Sequence, residues 1–236
     1  MRGIMDDQGY VQLFNASDIH IVPFDKDWNP IGRTLAALDA SGEGQDTSEW
    51  AVRDRMRAAI VASEQVSTSA SMAIKSITVV DKYGVDPIDF VIDAFGKGMN
   101  VSQEIALATS KMKRPWRTWP INVGDPCDDE EDKEQFINVR AMCFYRMMLW
   151  CRAGGELMDS PGLREELLSL RYKRSLRGRI QIMDKPQMAK LGFKSPNKAD
   201  ALSMTFYRRD TNMEKRSLLG GANDGKKEEF DEFSTV

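Results

Sequence analysis

The chain is almost without histidine: His20 is the only one. It has three cysteines, Cys127, Cys143 and Cys151, and none forms a C-x-x-C pair. These absences leave a zinc site poorly supported, since zinc sites draw on imidazole and thiolate ligands. An odd cysteine count argues against a disulfide framework, and the first ten residues, MRGIMDDQGY, hold no apolar stretch that could act as a secretory signal. Reduced thiols in a cytosolic compartment are therefore expected. Cys143 and Cys151 lie in an apolar helical stretch, where free cysteine packs as a small hydrophobe. No apolar run reaches the roughly 20 residues of a membrane span, so no transmembrane helix is expected.

What is present is ordinary in bulk and uneven in detail. The 236 residues suffice for one large domain or two small ones. The net charge of −3 hides a strong asymmetry. Residues 125–134, DPCDDEEDKE, hold seven acids and one lysine, which reads as a solvated surface. Residues 164–198 hold ten Lys/Arg and three acids, a local +7. A mildly acidic chain with such a basic stretch can bind a polyanion locally.

Along the chain, residues 1–32 lack periodicity and read as a lead-in, with His20 at its surface. RTLAALDAS, 33–41, is a strand-length apolar run ending in Asp39. Residues 46–68 read as two strands joined around Asp54 and Arg55, rich in strand-favouring residues such as Trp50, Val52, Ile60 and Val61. Residues 69–84 have helical spacing, with Gly84 as a stop. DFVIDAFGKG, 89–98, is a second short apolar run, ending in Asp93. A helix follows over 100–112. Residues 114–124, with Pro115 and Pro120, predict a short or edge strand, with Trp116 and Trp119 as packing residues. Residues 136–155 predict a long amphipathic helix closed by Gly154 and Gly155. Residues 163–185 read as a short helix and then a hairpin turning near LRGR. SPNKADALSMTFYRR is a last helix, with Ser195 as its cap and Pro196 as its first residue. The segment from 210 onward is polar and reads as a mobile tail.

Strands alternating with helices predict an α/β domain. Ligands of open α/β sheets collect beyond the carboxyl ends of strands, where Asp39 and Asp93 lie. Asp200 sits about one turn into the last helix, beside a face formed by Ala199, Leu202, Ser203 and Phe206. A helix packed on the sheet would bring Asp200 to the two strand ends. Three carboxylates in one place repel one another, and a divalent cation relieves the repulsion. Oxygen-only ligands suit Mg²⁺ or Mn²⁺. Two such ions about 4 Å apart are a standard device for phosphodiester cleavage and need no histidine base.

Four stretches together resemble the C-terminal nuclease domain of the large terminase subunit of tailed bacteriophages. KSPNKADALSMTF is similar to the third acidic motif of that family. LAALDASGEGQDTSEWAVRD is similar to the first, a strand-end aspartate followed by a glycine-bearing turn and a second aspartate. DFVIDAFGKG is similar to the second acidic motif. LLSLRYKRSLRGRIQIMDKPQMAKLGFKSP resembles the family's hairpin and lysine-bearing lead-in. The resemblance covers roughly residues 10–207.

It implies an RNase H-like mixed sheet flanked by helices, with an added basic β-hairpin. It implies that Asp39, Asp93 and Asp200 are metal ligands and catalytic groups, with Asp46 as an accessory acid. The activity implied is endonucleolytic cutting of concatemeric viral DNA during genome packaging, with Mg²⁺ or Mn²⁺ and two ions. Implied partners are double-stranded DNA, a terminase ATPase domain, the small terminase subunit and the portal, in the host cytoplasm. On this reading residues 1–32 connect from an ATPase domain, 33–209 form the nuclease domain and 210–236 form a flexible acidic tail. The only G-x-x-x-x-G-K match, from Gly220 to Lys226, lacks the following Ser/Thr and the strand–helix setting of a nucleotide site, so no ATPase is expected here. Arg171, Lys173, Arg174, Arg177 and Arg179 on the hairpin could follow a phosphate backbone. Lys185 and Lys198 stand closer in sequence to the acidic motif and would touch the scissile phosphate, with Asn197 near them. Two other readings remain: a non-catalytic RNase H-like docking module, and another nuclease of this fold such as a junction resolvase.

Overall fold

In a computed structural model the chain is described over residues 9–41, 47–65, 68–112, 115–116 and 118–207. Asp46, the G-x-x-x-x-G-K match and the acidic tail lie outside the described residues. The lead-in contributes two strands, β1 (Val11–Gln12) and β2 (His20–Val22). Next come β3 (Leu35–Asp39), β4 (Thr47–Arg53) and β5 (Arg57–Gln65). The turn joining β4 to β5 is organised by Asp54, whose carboxylate accepts from the Met56 and Arg57 amides.

Helix α1 (Ser69–Lys82) starts at Thr68, whose side chain accepts from the Ser71 amide, and stops at Gly84, with φ +61. That left-handed conformation suits glycine at a helix end. Strand β6 (Phe90–Asp93) leads into α2 (Gly98–Thr109), and β7 (Trp119–Ile121) follows. Then come α3 (Glu130–Gln135), α4 (Val139–Arg152), β8 (Glu156–Met158) and α5 (Leu163–Ser169). The hairpin β9 (Arg171–Arg174) and β10 (Ile180–Ile182), α6 (Lys185–Lys190) and α7 (Asn197–Met204) complete the described chain.

Seven strands form one mixed sheet in the order β2-β8-β5-β4-β3-β6-β7. The β3–β4 and β4–β5 pairs are antiparallel, and the pairs β3–β6, β6–β7, β5–β8 and β2–β8 are parallel. A second, three-stranded sheet joins β1 to the β9–β10 hairpin. The segment expected to be only a lead-in thus supplies an edge strand to each sheet, with His20 exposed as expected. Pro120 sits on the other edge strand, β7, where its missing N–H leaves no ladder bond unmade. Trp119 beside it is exposed, while Trp116 packs partly buried against the core.

Every residue of β3 is buried, because helices cover both faces of the sheet. On one face Ala36, Leu38, Trp50, Val52, Phe90 and Ile92 join the core under α1 and α2. On the other, Ala37, Ala51 and Val91 join the core built with α4, α5 and α7. Helix α4 is accordingly buried around most of its circumference rather than amphipathic, since it packs against α7 and β10. The acidic run is also not simply a solvated surface. Asp129 caps α3, and Asp132 is buried against Arg146 at 2.7 Å. No helix among the described residues is long and apolar enough to cross a membrane.

Candidate active site

Side chains alternate between the two faces of a strand. Ala37 on β3 faces α4 and α7, so Asp39 does too. Val91 does the same on β6, so Asp93 follows. Ala51 does the same on β4, so Glu49 follows, and Glu49 is the register partner of Asp39. Helix α7 packs on β3, β4 and β5 and carries Asp200 on that same side. The three aspartates therefore line one pocket of about 590 Å³, together with Ser41, Phe95, Arg140, Lys185 and Asn197 among others. Gly98 helps to set the position of Asp93. A Cβ there would fall 1.7 Å from the Asp93 carbonyl oxygen, so only glycine lets α2 start so close behind β6.

The pocket is electrostatically loaded. Burial pushes the Asp39 carboxyl up to about 8; Lys185 pulls it down, and Asp200, Asp93 and Glu49 add to the rise. Burial also raises Asp93, opposed by the Phe95 amide, which donates to its Oδ1 at 3.1 Å, and reinforced by Asp200. Asp200 is bracketed by two cations. Arg140 Nε donates to Oδ1 at 2.9 Å, and Lys185 Nζ lies 3.1 Å from Oδ2. Burial alone would lower the Lys185 pKa, but Asp200 and Asp39 outweigh it and the net shift is upward.

These side chains fit a divalent cation in donor chemistry but not in their present arrangement. Among the described residues no three His, Cys, Asp or Glu side chains are arranged to hold a metal ion. The positive charge facing the aspartates is instead the Lys185 ammonium. Asp200 Oδ2 is buried with no hydrogen bond beyond that ion pair, and burial pushes the Asp39 carboxyl up to about 8 even with Lys185 pulling it down. Withdrawal of Lys185, whose side chain is 47% exposed, would free Asp200 Oδ2 while Arg140 stays on Oδ1.

Helix α7 is held differently from the expected Ser-Pro start. Pro196 occupies the cap position, and Ser195 Oγ donates to Asn197 Oδ1 at 2.6 Å rather than capping the helix. The cap comes from α5: Glu166 Oε2 accepts the Ala199 amide at 2.9 Å. Burial raises Glu166 to about 7, against the pull of that amide and Lys198. Lys198, expected at a phosphate, instead reaches Glu49 Oε1 at 3.6 Å. Glu49 is fully buried and also accepts from Thr47 Oγ1 and Ser63 Oγ.

The basic hairpin forms as expected, but several of its cations are engaged within the fold. Arg171 donates to the Leu168 and Leu170 carbonyls and stacks on Phe193. Lys173 lies over the Tyr10 ring, and Arg174 donates to the Gly178 carbonyl. Arg174 and Arg177 are exposed, whereas Arg179 is half-buried. Sequence reading missed Arg140, Glu49 and Glu166. Strand alternation opposite Asp39 carries a signal for Glu49 alone.

No family model matches the chain, and no curated protein matches it significantly. Solved structures do. The nuclease domain of the large terminase subunit gp2 of bacterial virus Sf6 superposes with a TM-score of 0.64 at 22% identity, over 78% of this chain and 91% of that one. The large terminase nuclease from thermophilic phage G20c gives 0.57 at 16%, over 84% and 99%. This chain has the terminase-nuclease fold. It is an RNase H-like mixed sheet flanked by helices, as the sequence motifs implied. Structures with this fold have been solved with manganese and calcium for a point mutant of the Sf6 domain, and with magnesium and cobalt for the G20c domain.

Proposed function

We propose that the chain is a metal-dependent DNA endonuclease that cuts concatemeric viral DNA during genome packaging. The observation that carries this is the convergence of Asp39, Asp93 and Asp200, from two strand ends and a helix, on one pocket. The structural neighbours support the reading, being terminase nucleases solved with divalent metals. Asp39, Asp93 and Asp200 would hold Mg²⁺ or Mn²⁺, with two ions; Asp46 is proposed as an accessory ligand. Bound there, the ions would lower the pKa of the attacking water and steady the leaving oxygen. Lys185, released from Asp200, would meet the scissile phosphate. Arg174 and Arg177, the exposed cations of the hairpin, would follow the duplex backbone without reading bases.

The test is cleavage of linear and branched DNA with Mg²⁺ or Mn²⁺, with chelator, and by Asp93→Asn and Asp200→Asn. Cutting of linear DNA should need metal, and each substitution should abolish it while the far-UV circular dichroism stays that of the wild type. Cutting confined to branched DNA would make the protein a resolvase. DNA binding without any cutting would make it a docking module. Activity that survives exhaustive chelation would exclude the mechanism.

A further inference from the structure

Asp200 has two oxygens, and the two cations that hold them differ. Lys185 reaches Oδ2 on a long side chain that is 47% exposed, and can swing into solvent. Arg140 cannot: its side chain is only 12% exposed. Its guanidinium is fixed at three points. Nε donates to Asp200 Oδ1 at 2.9 Å, Nη1 donates to the Met183 carbonyl at 3.0 Å, and the group lies 4.9 Å from the centre of the Phe144 ring. These contacts tie α7, the segment before α6, and α4 to one planar group. Nη2 is buried and makes no hydrogen bond to protein, so the group's fixed contacts are those to Asp200 and Met183.

We propose that Arg140 is a positioning residue for Asp200, holding Oδ1 so that Oδ2 alone is offered to a divalent cation, while its charge weakens binding of that cation. The inference rests on the nuclease reading above. Its two parts separate by substitution. Arg140→Gln removes the charge and the fork; Arg140→Lys keeps the charge and loses the fork, since an ammonium carries its donors on one atom at the end of a flexible stem and lacks the guanidinium's rigid, planar donor spacing. Removing one positive charge from a buried acidic pocket favours an incoming cation.

The experiment measures Mn²⁺ binding by calorimetry and, separately, kcat and KM for linear DNA on the wild type and both variants. For Arg140→Gln, Mn²⁺ affinity should rise about tenfold while kcat falls by about tenfold or more, with KM for DNA nearly unchanged. For Arg140→Lys, affinity should stay near the wild-type value while kcat falls. A merely structural ion pair would lower stability and affinity together. Weaker Mn²⁺ binding in Arg140→Gln, or wild-type kcat in Arg140→Lys, overturns the proposal. Should Arg140→Gln fail to fold, Arg140→Lys decides alone. A wild type that neither binds Mn²⁺ nor cuts sinks the nuclease reading, and this inference with it. A wild type that does both, beside variants that match it, sinks this inference only.

Discussion

At the scale of the residue, Asp39 has a consequence for stability. In the folded chain it keeps its proton to about pH 8, whereas an unfolded aspartate releases it near 4. Between those values the folded state binds more protons, so this group's contribution to stability is full below about pH 4 and is lost as pH rises to 8. Asp39→Asn replaces the protonated acid with a neutral isostere. Metal-free Asp39→Asn should therefore match the wild type near pH 4 and exceed it at pH 8 by a gap on the order of a few kcal/mol. Thermal unfolding across that range checks this, and a constant gap would mean that Asp39 is ionised throughout. On the nuclease reading, added Mg²⁺ should narrow the gap in the wild type's favour, because Asp39 would hold the ion as a carboxylate. Asp39, Asp93 and Asp200 were legible as a candidate set through the ordered motifs and the family resemblance those motifs carry, since an aspartate at a strand end or helix start is by itself as often a cap or a turn residue. Arg140 was not: its meaning lies in partners far along the chain, and nothing in FINVRAMCFY singles it out from a surface arginine.

At the scale of the element, α7 depends on a cap borrowed from α5. Glu166→Ala leaves the Ala199 amide without its acceptor and should cost about 1 kcal/mol, lowering Tm by roughly 2–4 °C. Glu166→Gln keeps an acceptor and should unfold close to the wild type. Equal losses in the two variants would assign the effect to packing instead. The sequence placed a helix here correctly but gave its start to Ser195, because a Ser-Pro pair is a local signal and a carboxylate from another helix is not.

The hairpin was legible for the same local reason, with basic strands flanking a glycine turn. Which of its cations face outward was not legible, since Tyr10 and Phe193 claim two of them from elsewhere in the fold. Arg174→Ala with Arg177→Ala should weaken duplex binding equally on unrelated sequences. The salt slope should fall by about 0.9 per lost phosphate contact, and an unaltered slope would remove the hairpin from the DNA path. Elements of three to six residues, β8, α3 and α6, escaped the sequence reading, because so short a segment shows no period.

At the scale of the whole molecule, the described chain closes on itself at its C-terminal end. Arg146 donates to the carbonyls of Phe206 and Tyr207, and the Tyr207 hydroxyl donates to Asp128 at 2.8 Å. Deleting residues 210–236 leaves all of these contacts in place, so on the nuclease reading DNA cutting should persist at the wild-type rate. ATP should neither be hydrolysed nor be required for cutting. Parallel nuclease and ATPase assays on the full and shortened chains test both statements, and ATPase activity abolished by Lys226→Ala would refute them. The α/β class was legible from the alternation of strands and helices. The order of strands, and the edge strand contributed by residues 20–22, were not, because pairing partners distant in sequence leave no mark on local composition.

The wide spacing of the three aspartates along the chain also has a consequence in time. During synthesis, β3 and β6 can pair and bring Asp39 beside Asp93 long before α7 has left the ribosome. Until that last helix docks, the half-made centre has Asp39, Asp93 and Glu49 but lacks Asp200, the partner that Arg140 and Lys185 attend. Non-local contacts of this kind form late and slowly. On the nuclease reading, a chain that stops short of α7 is thereby disarmed, and the ability to cut DNA arrives only once that helix docks.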